Sequence, residues 1–194
     1  MNMKHADKRN EIIIAALELI SEQGFHKAPM SMIARKAGVG AGTIYIYFEN
    51  KDALINEIYM ELEKKITAAI QEGYSVSQPI RERFMHLWIG LLRYIIEHPL
   101  DFRYMEQYHN SPYGASLRRD RILGKTGDSS IFKDLFEEGI SSHTIKELPI
   151  VMIFALAFGP MVCLARDHIL GLIKLQDAHI VKAAAACWEA IENK

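Results

Sequence analysis

The 194-residue sequence predicts an all-α protein, with a three-helix head at the N-terminus and a longer helical body behind it. Three observations carry this prediction. Apolar residues recur three and four apart through most of the chain, the period of an amphipathic helix. The pattern breaks at helix-stopping points such as Gly24, Gly38, the run from Gly73 to Pro79, and His98-Pro99. Residues 28–54 hold two short apolar-periodic helices around a glycine-bearing turn, followed at once by a third, capped helix.

The first helix presents Ile12, Ile13, Ala16, Leu17 and Ile20 as one stripe, and Gly24-Phe25 reads as a glycine stop with a hydrophobic latch. The next helix spans roughly 29–37. Pro29 suits a first helical position, and Ile33, Ala34 and Ala37 share an inward face. Gly38 is the expected left-handed stop, and Val39 can plug the angle of the turn. Gly40 can cap a helix of roughly 41–48, in which Ile44 and Phe48 point inward. Ala41, Gly42, Thr43, Tyr45 and Tyr47 then remain near its exposed surface and N-terminal end. Asn50 can cap the following helix, with Asp52 in its first turn.

This is the layout of a helix-turn-helix, whose second helix is presented to the DNA major groove. Small residues at 40–42 would let the backbone come close to DNA. Thr43 can meet a phosphate or a thymine methyl, and Tyr45 and Tyr47 offer hydroxyls and flat rings to backbone and bases. Arg35, Lys36 and Lys51 flank the motif as candidate phosphate contacts, Lys51 foremost; their plainer reading is solvated surface. A helical hairpin with a protein partner is the alternative for the whole segment.

The string Ile33-Ala34, Ala37-Gly38-Val39, Gly42-Thr43, Ile44-Tyr45, Tyr47-Phe48, Lys51 and Leu54 closely resembles the tetracycline-repressor (TetR/AcrR-like) family of bacterial regulators. The resemblance covers about residues 8–68; beyond it only length and layout agree. It implies an all-helical dimer whose N-terminal domain reads an operator and whose variable C-terminal domain binds a small molecule and dimerises. On this reading residues 1–50 are the head, with the helix-turn-helix at about 29–48, and 51–194 form the ligand-binding and dimerisation domain. Three positions depart from the family pattern. Ala28 stands where a capping threonine or serine is usual, Gly40 where serine is common, and Ile46 where a polar or basic residue is frequent. Ile46 can touch thymine methyls or fill the groove wall, and the base sequence read by this helix is left open.

Composition bounds the rest. Net charge is −1, and residues 1–52 carry seven Lys and Arg against six Asp and Glu. DNA affinity must therefore come from placed contacts, not from a broad basic field. Cys163 and Cys187 are far apart and suggest buried, reduced thiols without a disulfide or a metal. The N-terminus lacks the apolar core of a signal peptide. Residues 148–165 contain no charge and reach the short edge of a membrane span, but Gly159-Pro160 interrupts them. A helix buried between protein surfaces fits better, so a cytoplasmic location without a membrane is expected.

Behind the head, Leu54, Ile58 and Leu62 continue a stripe through a helix of about 51–72, the expected hinge between head and body. Helices of about 80–97 and 100–109 follow. Residues 110–130 read as the loosest part, with Asn110-Ser-Pro, several glycines and the basic cluster Arg118, Arg119 and Arg121. That cluster is a solvated turn, or a second contact for DNA or an anionic ligand. Asp128 can cap a helix to about 140. Helices of about 149–172 and 177–192 close the chain. The first is apolar nearly all round and the second carries Ala183 to Ala186, so together they are the expected homodimer interface.

Trp88, Leu91, Tyr94, Met105, Tyr108, Phe132 and Phe158, with Phe136 and Phe154, are expected to surround the centre of the body. They suggest a small apolar or aromatic effector, with Tyr108, His109 and Arg166 as polar handles. Catalysis is not expected. Glu106 and His109 form one Glu-x-x-His pair without the second that a di-iron bundle needs, and no zinc spacing, phosphate loop or nucleophile elbow is present. The leading expectation is a ligand-responsive DNA-binding regulator, most often a repressor, without a cofactor. A protein-interaction module is the runner-up, and a helical-bundle enzyme or lipid carrier the third reading.

Overall fold

The computed structural model describes residues 3–122 and 131–194. Among them are ten α-helices: α1 (Met3–Gln23), α2 (Met30–Lys36), α3 (Ala41–Tyr47), α4 (Lys51–Gln71), α5 (Ile80–Glu97), α6 (Pro99–His109), α7 (Pro112–Ile122), α8 (Ile131–Ser141), α9 (Ile150–Ile169) and α10 (Asp177–Ile191). No strand forms among the described residues; Ile145 and Glu192 make an isolated bridge.

The chain divides into two compact units. One comprises Met1–Lys65 with His98–Thr126, and the other Ile66–Glu97 with Gly127–Lys194. This differs from a head of 1–50 and a body of 51–194, because α6 and α7 pack with the head. The cause is aromatic. Tyr104 and Tyr108 of α6 are buried in the same apolar cluster as Ile12, Ala16, Ile33, Ile44, Phe48, Leu54 and Ile58. Tyr104 donates its hydroxyl to the Ile55 carbonyl at 2.7 Å, and Tyr108 donates to Asn56 Oδ1 at 2.8 Å. Tyr59 stacks on Tyr108 with ring centroids 4.1 Å apart. Ser21 Oγ donates to the Leu100 carbonyl at 3.0 Å, and buried Asp101 accepts Lys65 at 2.9 Å. Arg9 ties α1 to α4 through Glu57 and Glu61, the latter at 2.9 Å, and lies over the Phe48 ring.

The α7 helix corrects the expectation of a loose segment. Ser111 precedes Pro112, and the Gly114 N–H reaches the Ser111 hydroxyl at 3.5 Å, so Ser-Pro opens a helix here. The Arg118 and Arg121 side chains, and the expected cap Asp128, lie outside the described residues. Tyr113 donates to the Asp52 carboxylate, and its ring stacks near Tyr108 at 6.1 Å. That bond to Asp52, with burial, pushes the Tyr113 phenol up to about 12. An unfolded tyrosine ionises near pH ~10. A raised folded value favours the protonated fold, so this contribution is complete below the unfolded value and lost as pH rises through the folded one. Thermal melts of this unit are therefore expected to fall in alkaline solution over that window, with a shallower fall in Tyr113→Phe.

The second unit is built from α5, α8, α9, α10 and the end of α4. Its core includes Phe84, Leu87, Trp88, Leu92, Phe136, Ile153, Ala157, Met161, Ile180, Ala184 and Trp188. The Trp88 indole N–H donates to the Ala157 carbonyl at 2.9 Å. Buried Arg83 donates to both carboxylate oxygens of Glu138 at 2.8 Å and to the Tyr74 hydroxyl at 2.9 Å. Among the described helices, α9 is the one long and apolar enough to cross a membrane. It runs unbroken through Pro160, with Ile153, Ala157, Met161 and Ala165 inside the unit. Its opposite face, carrying Met152, Ala155, Leu156, Gly159, Pro160 and Cys163, is exposed. Cys163 is thus exposed, not buried as its apolar surroundings suggested, whereas Cys187 is buried and its thiol is pushed up by that burial.

Candidate nucleic-acid interface

The turn between α2 and α3 is closed by backbone bonds that follow from one glycine. Gly38 has φ of +65°, the left-handed region that penalises any Cβ. In that conformation Val39 N–H reaches the Ala34 carbonyl at 2.9 Å and Gly38 N–H the Arg35 carbonyl at 3.2 Å. These paired bonds satisfy the last carbonyls of α2 and set the direction in which the chain leaves it. Half-buried Val39 packs on the head core. Pro29 caps α2 with no side-chain hydrogen bond, and Ala28 is fully buried. Packing replaces the hydroxyl cap.

Helix α3 starts at Gly40, whose carbonyl accepts Thr43 N–H at 2.9 Å and Ile44 N–H at 3.3 Å. Ile44 and Phe48 are buried and anchor the helix to the head. The opposite face is open. Ala41 and Gly42 are exposed, as are Tyr45 at 55% and Ile46 at 73%; Thr43 and Tyr47 are half-buried at its flanks. Apart from its chain neighbours and its own helix backbone, no heavy atom of the described residues lies within 4 Å of where a Cβ on Gly42 would stand. Asn50 Oδ1 accepts Ala53 N–H at 2.8 Å and so caps α4, as its sequence position predicts.

The three flanking cations differ. Arg35 and Lys36 are exposed. Lys36 pairs with Glu18 at 2.9 Å, and that hydrogen bond raises its pKa above the ordinary lysine value. Lys51 is half-buried and donates to the Phe25 carbonyl, beyond the Gly24 stop of α1. Burial lowers its pKa, against the pull of Asp52. Lys51 therefore holds the end of α1 with one of its three donors.

The aromatic set divides between the two units. Met105, Tyr108 and His109 belong to the first unit, because α6 packs on α1; Met105 and Tyr108 join the head core, and exposed His109 lays its ring against Tyr59. Trp88, Leu91, Tyr94, Phe132 and Phe158 belong to the second unit. There Phe132 and Phe158 meet edge to face at 4.7 Å, and Phe136 and Phe154 extend the group. Trp188 carries a feature that sequence reading missed. Its buried Nε1–H has no hydrogen-bond partner among the described residues, and its ring lies 5.4 Å from Phe84. A tryptophan among alanines on an apolar helix reads as packing alone, so only its surroundings reveal the orphan donor.

A family model described as "Tetracyclin repressor-like, C-terminal domain" matches residues 79–192. A second, described as "Bacterial regulatory proteins, tetR family", matches residues 12–58, which include α2 and α3. The chain belongs to the TetR family.

Relatives agree with that assignment. A TetR-family fold is shared with the crystal structure of a TetR family transcription regulator from Marinobacter aquaeolei, with a TM-score of 0.85 and 24% identity over all of both chains. An HTH-type transcriptional regulator of Haemophilus influenzae is 27% identical over 58% of this chain, and the match spans 60% of that protein, less than two thirds of its length. The fatty acid metabolism regulator protein of Bacillus subtilis is 30% identical over 86% of this chain and 79% of its own. This chain is a helix-turn-helix, DNA-binding transcriptional regulator. TetR regulators bind DNA and dimerise, are in general soluble and cytoplasmic, and form a family of regulators, not of enzymes.

Proposed function

We propose that this TetR-family regulator is a cytoplasmic, non-enzymatic repressor. It binds a near-palindromic operator as a homodimer and is released by a small apolar or aromatic effector held in its second unit. The observation that carries the DNA reading is the outward face of α3, with Tyr45 and Ile46 in water and Ile44 locked beneath them. A dimer would set two such faces about one DNA turn (~34–36 Å), or a modest multiple, apart.

The dimer would form through α9 and α10. The exposed apolar stripe of α9 supports this reading, because its other face is already spent on the core of the unit. Val181 of α10, also exposed, adds to the apolar surface of the unit. Interface cores are enriched in methionine and depleted of charge, and this stripe carries Met152 and no charged residue among the six named.

The effector reading rests on the phenylalanine group and on the orphan Trp188 N–H. A ligand carbonyl or carboxylate oxygen would satisfy that donor, and an apolar body would lie against Phe132 and Phe158. The name of the Bacillus subtilis relative favours a lipophilic compound. Helix α4 begins in one unit and ends in the other, which suits it to carry the response. The response cannot exceed the ligand's differential affinity for the two states.

The experiment is selection of binding fragments from randomised and source-genome DNA by the purified protein, with Tyr45→Ala in parallel. An enriched near-palindrome that Tyr45→Ala no longer holds supports the reading; equal, unenriched recovery by both proteins contradicts it. Tyr45→Ala is a cleaner probe than Lys51→Ala, which also removes the bond to Phe25. Gly42→Ala offers a second check. Helical alanine replaces glycine with open space around it, so stability should rise by about 0.5–1 kcal/mol. Operator affinity should fall, because the added methyl stands on the face that approaches DNA.

A further inference from the structure

Ile46 is the most exposed side chain of α3 among those with apolar bulk, at 73%, so burial among the described residues does not account for an isoleucine there. Ile44 and Phe48 hold the helix to the head, so Ile46 is not needed for packing. The surrounding face is unusual in a second way. From Ala37 to Phe48 there is no Lys, Arg, Asn, Gln, Asp or Glu. Guanine is read by Arg or Lys, adenine by Asn or Gln, and cytosine by Asp or Glu. Helix α3 carries none of these. What it offers is three hydroxyls, from Thr43, Tyr45 and Tyr47, and apolar surface. In the major groove the apolar group on a base edge is the C5-methyl of thymine.

We propose that Ile46 is a specificity-determining residue that packs on the C5-methyl of a thymine in each operator half-site. The inference rests on the reading of α3 as the DNA-contacting helix and goes further by naming the base. Gly42 lies one turn before Ile46 on the same exposed face and carries no side chain, so the backbone there leaves room for the groove wall. Exposed Arg35 on α2, and Lys36 once it gives up its ion pair with Glu18, would meet phosphates, which orients the duplex without choosing a base. Base choice at the Ile46 position is then made by shape and methyl contact.

The test uses the full chain and a duplex obtained by selection. Thymines of one half-site are replaced singly by deoxyuridine, which removes only the methyl, and affinity is read by fluorescence anisotropy at fixed salt. Wild type and Ile46→Ala are compared, with circular dichroism to confirm that the variant is folded. One thymine is expected at which uridine weakens wild-type binding about four-fold, the scale of one buried methyl. Ile46→Ala should bind the thymine duplex more weakly and show no further loss with uridine there. The proposal is overturned if no position is methyl-sensitive, or if Ile46→Ala keeps the wild-type sensitivity at every position. In either of those cases operator binding persists and the regulator reading stands. Failure of wild type to prefer any duplex over random DNA would instead remove that reading, and this proposal with it.

Discussion

Leu156→Glu is expected to yield a folded protein that no longer dimerises. Leu156 is 39% exposed and Met152, one turn earlier on the same face of α9, is 50% exposed. A glutamate there already has access to water in the single chain, so protomer stability should change by no more than about 0.5 kcal/mol. In the dimer the same carboxylate would be buried against apolar surface without a partner, which disfavours association strongly. Two half-sites gripped together act with an effective concentration that a monomer lacks. Operator affinity should therefore fall by about 10²–10⁴-fold. Sedimentation equilibrium and DNA titration on the same sample check both halves. A variant that remains dimeric at micromolar concentration and binds as before would show that α9 is not the interface.

Trp88→Ala is expected to have the largest effect on stability. Trp88 is fully buried, and its N–H holds the Ala157 carbonyl of α9. Removing it opens a cavity between α5 and α9 and deletes that bond, with a loss of about 3–5 kcal/mol. In a chain of this size such a loss lowers the melting temperature by roughly 10 °C. Trp88→Phe keeps most of the volume and loses the bond, so its cost should be well below that of alanine. Differential scanning calorimetry separates the two. Because its N–H is already taken and its ring enclosed, Trp88 acts in packing. Trp188 is as deeply buried, but its N–H has no partner among the described residues, which makes it the better candidate to meet an effector. Trp188→Phe should therefore blunt the effector response and, because Trp188 is itself fully buried, lower the melt about as much as Trp88→Phe.

The sequence carried the head in detail because its features are local. Gly24 and Gly38 stop helices wherever they occur in the left-handed region, and both do so here, with φ of +83° and +65°. The inward pair Ile44 and Phe48 and the Asn50 cap follow from spacing alone. Features that depend on distant packing were not legible. Ser111-Pro112 reads as a loop in the sequence yet forms a cap and first helical turn, because the partners of α7, Phe25 and Asp52, lie sixty or more residues away. Tyr108 of α6 looks like part of a ligand cavity because aromatic spacing does not say which core a helix will enter. Its hydroxyl partner, Asn56, places it in the first unit. Lys51 matched a phosphate-contacting position, yet its ammonium is also bonded to Phe25, a bond that only the folded turn creates.

The central claim is that a dimer presents two α3 faces to successive turns of one operator. Hydroxyl-radical footprinting of the selected duplex tests it most directly. The account predicts two protected patches on one side of the DNA, related by a twofold axis and separated by about one helical turn or a small multiple. Both should vanish together in Leu156→Glu. A single patch of unchanged strength in wild type and Leu156→Glu, or no protection on any selected duplex, would contradict it.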